Sequence, residues 1–216
     1  MANILNSFLL VYAALFPIVN PVGCAPLFLS LTRQCSMRER HALAWKVSVN
    51  GFLLLLGSLF LGSHVLEFFG ITLPALRIAG GLVVTSFGWN LLQAKEIESG
   101  NDKARPAGRI DAFYPLTMPL TIGPGSMSVA IALGSQRPKG VTALAGLAEL
   151  GAAAIAGLLA ISLTVYLCYR FAERLVAALG ERGANVMVRL SAFILLCIGI
   201  QILWNGVSAL PGLIGH

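Results

Sequence analysis

The chain has 216 residues, of which 57% are apolar and only 11% charged, with a mean hydropathy of +0.82. A soluble domain of this length could not hide so much apolar surface, because surface-to-volume scaling leaves too much of it wet. Composition therefore excludes a disordered chain, a disulfide-stapled secreted domain and an ordinary soluble enzyme, and it points to an all-α integral membrane protein. The net charge of +6 does not imply a nucleic-acid partner, since the basic residues fall in short segments between long apolar runs.

The N-terminal stretch MANILNSFLL lacks the basic n-region of a cleavable signal peptide, so the first apolar run is expected to persist as a helix. Six stretches have the roughly 20 mainly apolar residues needed to cross the hydrocarbon core: about 7–31, 45–66, 71–92, 112–134, 141–169 and 190–210. Runs such as LLLLGSLFLG have none of the alternation of a membrane β-strand. Lys and Arg then set the orientation. The loop after the first span carries Arg33, Arg38, Arg40 and Lys46, and the loop after the third carries Lys95, Lys103, Arg105 and Arg109. The loop after the fifth carries Arg170, Arg174, Arg182 and Arg189, whereas the other side holds only Arg77, Arg137 and Lys139. This alternation predicts cytoplasmic basic loops and both termini outside.

Spans 1 and 4 are the two with proline and glycine clustered at mid-helix: Phe16-Pro17-Ile18-Val19-Asn20-Pro21-Val22-Gly23 and Pro119-Leu120-Thr121-Ile122-Gly123-Pro124-Gly125-Ser126. Setting Pro21 on Pro124 brings Asn20 onto Gly123 and Gly23 onto Ser126. Spans 3 and 6 open alike, with Arg77-Ile78-Ala79-Gly80 and Arg189-Leu190-Ser191-Ala192. These matches describe a three-helix unit used twice within a single transmembrane domain, 1–216. Repeat 1 is expected at about 1–95, a cytoplasmic linker at about 96–111 and repeat 2 at about 112–216. Three is odd, so the second unit enters from the opposite face. A 3+3 inverted repeat is the plan of many secondary transporters.

Each proline removes an amide donor and disfavours helical geometry in the residue before it, here Asn20 and Gly123. Main-chain groups freed at mid-membrane need partners that lipid does not offer. Two such breaks meeting near the midplane would make a compact site, with amide ends suited to a carboxylate and carbonyl ends suited to an ammonium. The candidate substrate-binding residues are Asn20, Pro21 and Gly23 with Gly123, Pro124, Gly125 and Ser126. The plainer alternative is that these residues kink or pack helices, as most transmembrane Pro and Gly do.

The segments NPVGCAPLFLSLT in span 1, MPLTIGPGSMS in span 4 and RIAGGL at the head of span 3 resemble the MarC family (UPF0056), over essentially the whole chain. The resemblance implies a small six-helix bacterial inner-membrane protein with broken first and fourth helices. It also implies transport of small neutral amino acids such as glycine and alanine. Cys24 stands where asparagine is common in the family, and Ala192 where glycine is expected.

Glu149 is the one acidic residue deep inside an expected span, which makes it the candidate for ion coupling. Alternatively, the long fifth span starts late and leaves Glu149 at the outer interface. Gln201, Asn205 and Asn90 are expected to bond between helices, and Thr121, Ser126 and Ser128 border the span-4 break. Ser58 with Gly62 and Ala153 with Gly157 mark packing faces, either within the chain or in a homo-oligomer. The four cysteines have no metal-ligand spacing, no catalytic motif is present, and neither an enzyme activity nor a cofactor or metal is expected. The expected function is ion-coupled transport of a small neutral amino acid by alternating access. A passive channel or exporter for another small solute, and a non-transporting membrane partner, are the rivals.

Overall fold

The computed structural model describes residues 2–93, 111–135 and 144–210, and every regular element among them is helical. Helix α1 (Ala2–Val19) is followed after one residue by α2 (Pro21–Leu31), with a bend of 41° between them. Then come α3 (Met37–Phe68) and α4 (Leu73–Gln93). A π-helical turn (Leu116–Thr121) leads into the short α5 (Pro124–Ser135), and α6 (Leu144–Arg170) and α7 (Ala172–Val207) complete the described chain. Among the described residues α3, α4, α6 and α7 are long and apolar enough to cross a membrane, and α1 with α2 makes a fifth span if the bent pair counts as one. Residues expected as a broken fourth span form the π turn and the 12-residue α5. The expected linker at 96–111, apart from Asp111, lies outside the described residues, as do Arg137 and Lys139.

Two segments expected as basic loops are largely helical instead. Helix α3 starts at Met37 because Ser36 and Glu39 form a capping box. The Ser36 hydroxyl accepts from the Glu39 amide (3.3 Å), while the Glu39 carboxylate accepts from the Ser36 amide (2.9 Å) and hydroxyl (2.8 Å). The Ser36 amide and hydroxyl hold the Glu39 carboxyl below its ordinary value. Its contribution to helix stability is therefore present above the usual carboxylate range and lost as the pH falls through the lowered value. After span 5 the chain turns at Phe171 and resumes at once as α7, because Ala172–Leu179 is rich in good helix formers. The helix is broken only at Gly180, whose φ of 68° and ψ of 170° are left-handed territory open to glycine.

Packing follows the small residues. Helix α4 lies against α7, α2 lies on α7 and α6, α5 on α4 and α3, α1 on α6, and the π turn on α3. At the α4–α7 crossing a Cβ at Gly81 would stand 2.5 Å from the Leu203 amide nitrogen and 2.8 Å from the Gly199 carbonyl. A Cβ at Gly88 would stand 2.7 Å from the Leu196 nitrogen, and one at Gly199 2.5 Å from the Thr85 nitrogen. These glycines let two backbones touch, which is how helices gain contact where no hydrophobic drive exists between them. Gly62 faces Ile131 of α5 and Gly157 faces Val11 of α1, so both expected small-residue faces are used within the chain. Leu15, Leu55, Leu116, Leu158 and Tyr169 are fully buried between these helices. Leu53, Leu61, Leu163, Leu190 and Trp204 face outward, as lipid-facing side chains do.

The expected interhelical bonds of Gln201 and Asn205 do not form: Gln201 Nε2 donates to Asn205 Oδ1 (2.9 Å) along the exposed face of α7. Their four-residue spacing puts the two amides side by side, where each is the other's nearest partner. Asn90 is exposed on α4.

The α4–α7 crossing makes a direct prediction. Gly81→Leu should destabilise the detergent-solubilised protein by about 2 kcal/mol or more through overpacking. Gly57→Ala, where nothing lies within 4 Å of the new Cβ, should not lower stability. Thermal unfolding followed by intrinsic fluorescence would compare the two, and equal midpoints would rule out the tight crossing.

Candidate functional site

The first break sits at Asn20. The residue occupies the left-handed region (φ 47°, ψ 54°), the only non-glycine residue among those described with positive φ. Pro21 explains both halves of this geometry, since it bars the helical conformation from Asn20 and starts α2 as its first residue. Asparagine tolerates the left-handed region and caps the new helix: its Oδ1 accepts from the Gly23 amide at 3.2 Å. Its Nδ2 is buried and has no hydrogen-bond partner among the described residues.

The second break spans Thr117 to Gly123. Thr117 and Thr121 donate their hydroxyls to carbonyls five residues back, Ala112 and Leu116, both at 2.7 Å. Met118 (φ −117°, ψ 125°) leaves helical geometry, and Ile122 is extended (φ −119°, ψ 101°) before α5 begins at Pro124. The Ser126 hydroxyl donates to the Gly123 carbonyl (2.8 Å). The first-turn amides of Gly125 and Ser126 have no intrahelical acceptor, and no side chain bonds to them among the described residues.

The two breaks meet. Cys24, one turn into α2, directs its thiol at the carbonyls of Val19 (3.8 Å) and Leu120 (3.5 Å), so the first break touches the second. Between them lies a cavity of about 50 Å³. Ile18 and Cys24 line it from the first break, and Thr121, Gly123, Pro124, Gly125 and Ser126 from the second. Val83, Val84 and Phe87 of α4 and Leu195 of α7 close its apolar side. A water needs about 10–15 Å³ by the same measure, so there is room for a few waters or a very small solute. Drug-sized ligands need a pocket of roughly 300–1,000 Å³.

Of the residues singled out in the sequence, Gly123, Pro124, Gly125 and Ser126 line this cavity. Asn20, Pro21 and Gly23 do not; they build the cap that aims α2. Glycine at 23 and 125 is explained by helix crossings. A Cβ at Gly23 would collide with the Ser191 hydroxyl of α7 and lie 2.5 Å from Asn20 Nδ2, and one at Gly125 would collide with Val84 Cγ2 of α4. Glu149 is exposed near the start of α6 and is not among the lining residues. Two participants were not expected at the site from the sequence. Tyr169 donates to the Thr121 hydroxyl (2.7 Å) and stacks on Phe28 of α2 (ring centroids 4.3 Å apart), tying the lining to α6. Ser191 packs on Gly23, and no single-residue signal marks either one.

Asn20 separates backbone strain from capping. Asn20→Ala should cost about 2 kcal/mol, combining loss of the cap with left-handed strain. Asn20→Gly, which is free of that strain, should cost less than about 1 kcal/mol. Unfolding midpoints in detergent would order the variants, and an alanine variant as stable as the glycine one would contradict the left-handed cap.

Residues 5–210 match the family model described as MarC family integral membrane protein. The chain is 33% identical over 216 residues to the UPF0056 inner membrane protein MarC of Citrobacter koseri, covering 96% of each chain. It is 31% identical over 215 residues to the protein of that name from Salmonella typhimurium, again with 96% of each chain covered. A UPF0056 membrane protein of Pyrococcus abyssi is 28% identical over 213 residues, 99% of this chain and all of the relative. No solved structure matches the chain.

Proposed function

Given that the chain belongs to the MarC family of integral membrane proteins, we propose that it is a secondary transporter of a small neutral amino acid of glycine or alanine size. The observation that carries this reading is the small cavity to which both interrupted helices contribute, with unbonded first-turn amides of α5 at its edge. A helix N-terminus favours a carboxylate through its free amides and its dipole. The volume admits only a very small solute, and the apolar wall from Val83 to Leu195 suits a hydrogen or methyl side chain. The buried, unpartnered Asn20 amide is a spare donor at the first break.

Alternating access by a 3+3 inverted repeat is the second part of the proposal. In it the π turn with α5 serves as the fourth crossing and makes the sixth span. Exchanging α1 with the π turn, α2 with α5, α3 with α6 and α4 with α7 turns the main packing relations into one another. Helix α2 on α7 becomes α5 on α4, α2 on α6 becomes α5 on α3, and α1 on α6 becomes the π turn on α3. Two halves related in this way can trade conformations around a shared site. The relatives named as inner membrane proteins and the Lys and Arg distribution support an inner-membrane location with both termini periplasmic. Glu149 lies near the start of α6 and opens its apolar span, outside the cavity lining, which favours the interfacial reading, so Glu149→Gln should leave gradient-driven uptake unchanged.

The test is uptake of labelled glycine and alanine into proteoliposomes holding purified protein, with and without an imposed proton gradient. Saturable uptake with counterflow is expected, as is its loss in Val83→Phe, which adds bulk to the lining at a half-exposed position without touching a glycine crossing. Flux that rises linearly and shows no counterflow would establish a channel instead. Saturable uptake in Val83→Phe equal to that of the natural chain would remove this cavity as the site.

A further inference from the structure

Arg40 is the buried cation of this fold among the described residues: its side chain is 8% exposed, near the start of α3. Its Nε donates to Thr32 Oγ1 (3.1 Å) and its Nη2 to the main-chain carbonyls of Thr32 (3.0 Å) and Cys35 (3.4 Å). The guanidinium thus closes the carboxyl end of α2, where the last carbonyls of a helix lack partners. Its Nη1 pairs with Glu173 in the first turn of α7, a helix start with no side-chain cap. One residue therefore joins the end of α2 to the beginning of α7. The same two helices also touch at Gly23 and Ser191, beside the first break.

Helix α2 has 11 residues and spans about 16 Å at 1.5 Å per residue. Its first turn carries Cys24 into the cavity wall, and its last turn is held by Arg40. Movement of its far end away from α7 would tilt the helix and open the cavity toward the face that bears Arg33, Arg38 and Arg174. We propose that the Arg40–Glu173 pair is the gate on that face: it holds α2 against α7 and keeps the cavity occluded, and it must part for solute to pass. This rests on the transporter reading. Glu173 is 46% exposed, so the pair is reachable by water and can break and re-form, whereas the remaining Arg40 bonds stay with α2. Parting the pair frees only one of the contacts made by Arg40, and the carboxylate returns to solvent at little desolvation cost.

The test uses Cys24 as a reporter, since it lines the cavity and is 1% exposed in the closed arrangement. Cys35, Cys168 and Cys197 are changed to serine in the full chain, and a membrane-impermeant methanethiosulfonate is applied to vesicles of each orientation. Glu173→Gln should speed labelling of Cys24 about tenfold from the face of the basic loops and leave the other face unchanged, as a shifted open–closed equilibrium requires. Glu39→Gln, which removes a carboxylate from the same end but not from Arg40, should leave the rate alone. Raising ionic strength from about 0.1 to 1 M shortens screening from about 10 to about 3 Å and should speed labelling in the parent but not in Glu173→Gln. Unchanged labelling in monodisperse Glu173→Gln, or equal acceleration from both faces, would overturn the gate. Because labelling needs no substrate, faster labelling without any solute uptake would uphold the gate and reject the assigned substrate. Normal uptake with unaltered labelling would do the reverse.

Discussion

A helix interrupted inside a bilayer must find partners for its freed main-chain groups, and the rest of this structure depends on how two interruptions meet that demand. At the first, Asn20 takes a left-handed conformation and turns its side chain onto the Gly23 amide, so one residue both ends α1 and caps α2. At the second, threonine hydroxyls reach carbonyls five residues back and Ser126 takes the Gly123 carbonyl. Both solutions are incomplete. The Asn20 amide nitrogen, buried at the first break, and the first-turn amides of α5 at the second stay unbonded among the described residues. The spare α5 amides beside the small cavity are what a carboxylate-bearing solute would satisfy.

Close helix crossings place those ends together. Gly23 admits Ser191, Gly125 admits Val84, and the glycines of α4 and α7 bring these two helices into backbone contact. The cavity is what remains between two interrupted helices after their glycines have been spent on packing. This explains why the same residue types serve structure and function at once, and why leucine at Gly23 or Gly125 would disturb the crossing before it reached the cavity. The Thr121–Tyr169 hydrogen bond with the stacking of Tyr169 on Phe28, and the Arg40 bridge from α2 to α7, tie the breaks to α6 and α7.

Much of this was legible in the residues. Pro21 and Pro124 announce the breaks, since proline acts through local backbone sterics that a sequence carries in full. The long apolar runs locate α3, α4, α6 and α7, because lipid demands length and little else, but they miss where α3 and α7 begin, since helix continues through the flanking charged segments. Legibility ends where partners come from distant parts of the chain. Tyr169 and Ser191 read as ordinary span residues, and only the packed helices bring them to Thr121 and Gly23. Arg40 reads as one of several orientation charges until α7 presents Glu173. The helical start of α3 was readable in Ser36-Met37-Arg38-Glu39, yet the surrounding charges suggested a loop. Glu149 lies within an apolar run, and that it stands exposed on α6 follows from which face of the helix the neighbours cover, which the run alone does not show.

The central claim is that one cavity, walled by both breaks, receives the solute. The rate at which N-ethylmaleimide alkylates Cys24, as the sole cysteine of the chain, tests it most directly in the presence of saturating glycine, alanine or arginine. Glycine and alanine should slow the reaction and arginine should leave it unchanged, because only the small solutes fit beside the thiol. Equal rates with all three, at concentrations that saturate uptake, would place the solute elsewhere and contradict a shared site at the two breaks.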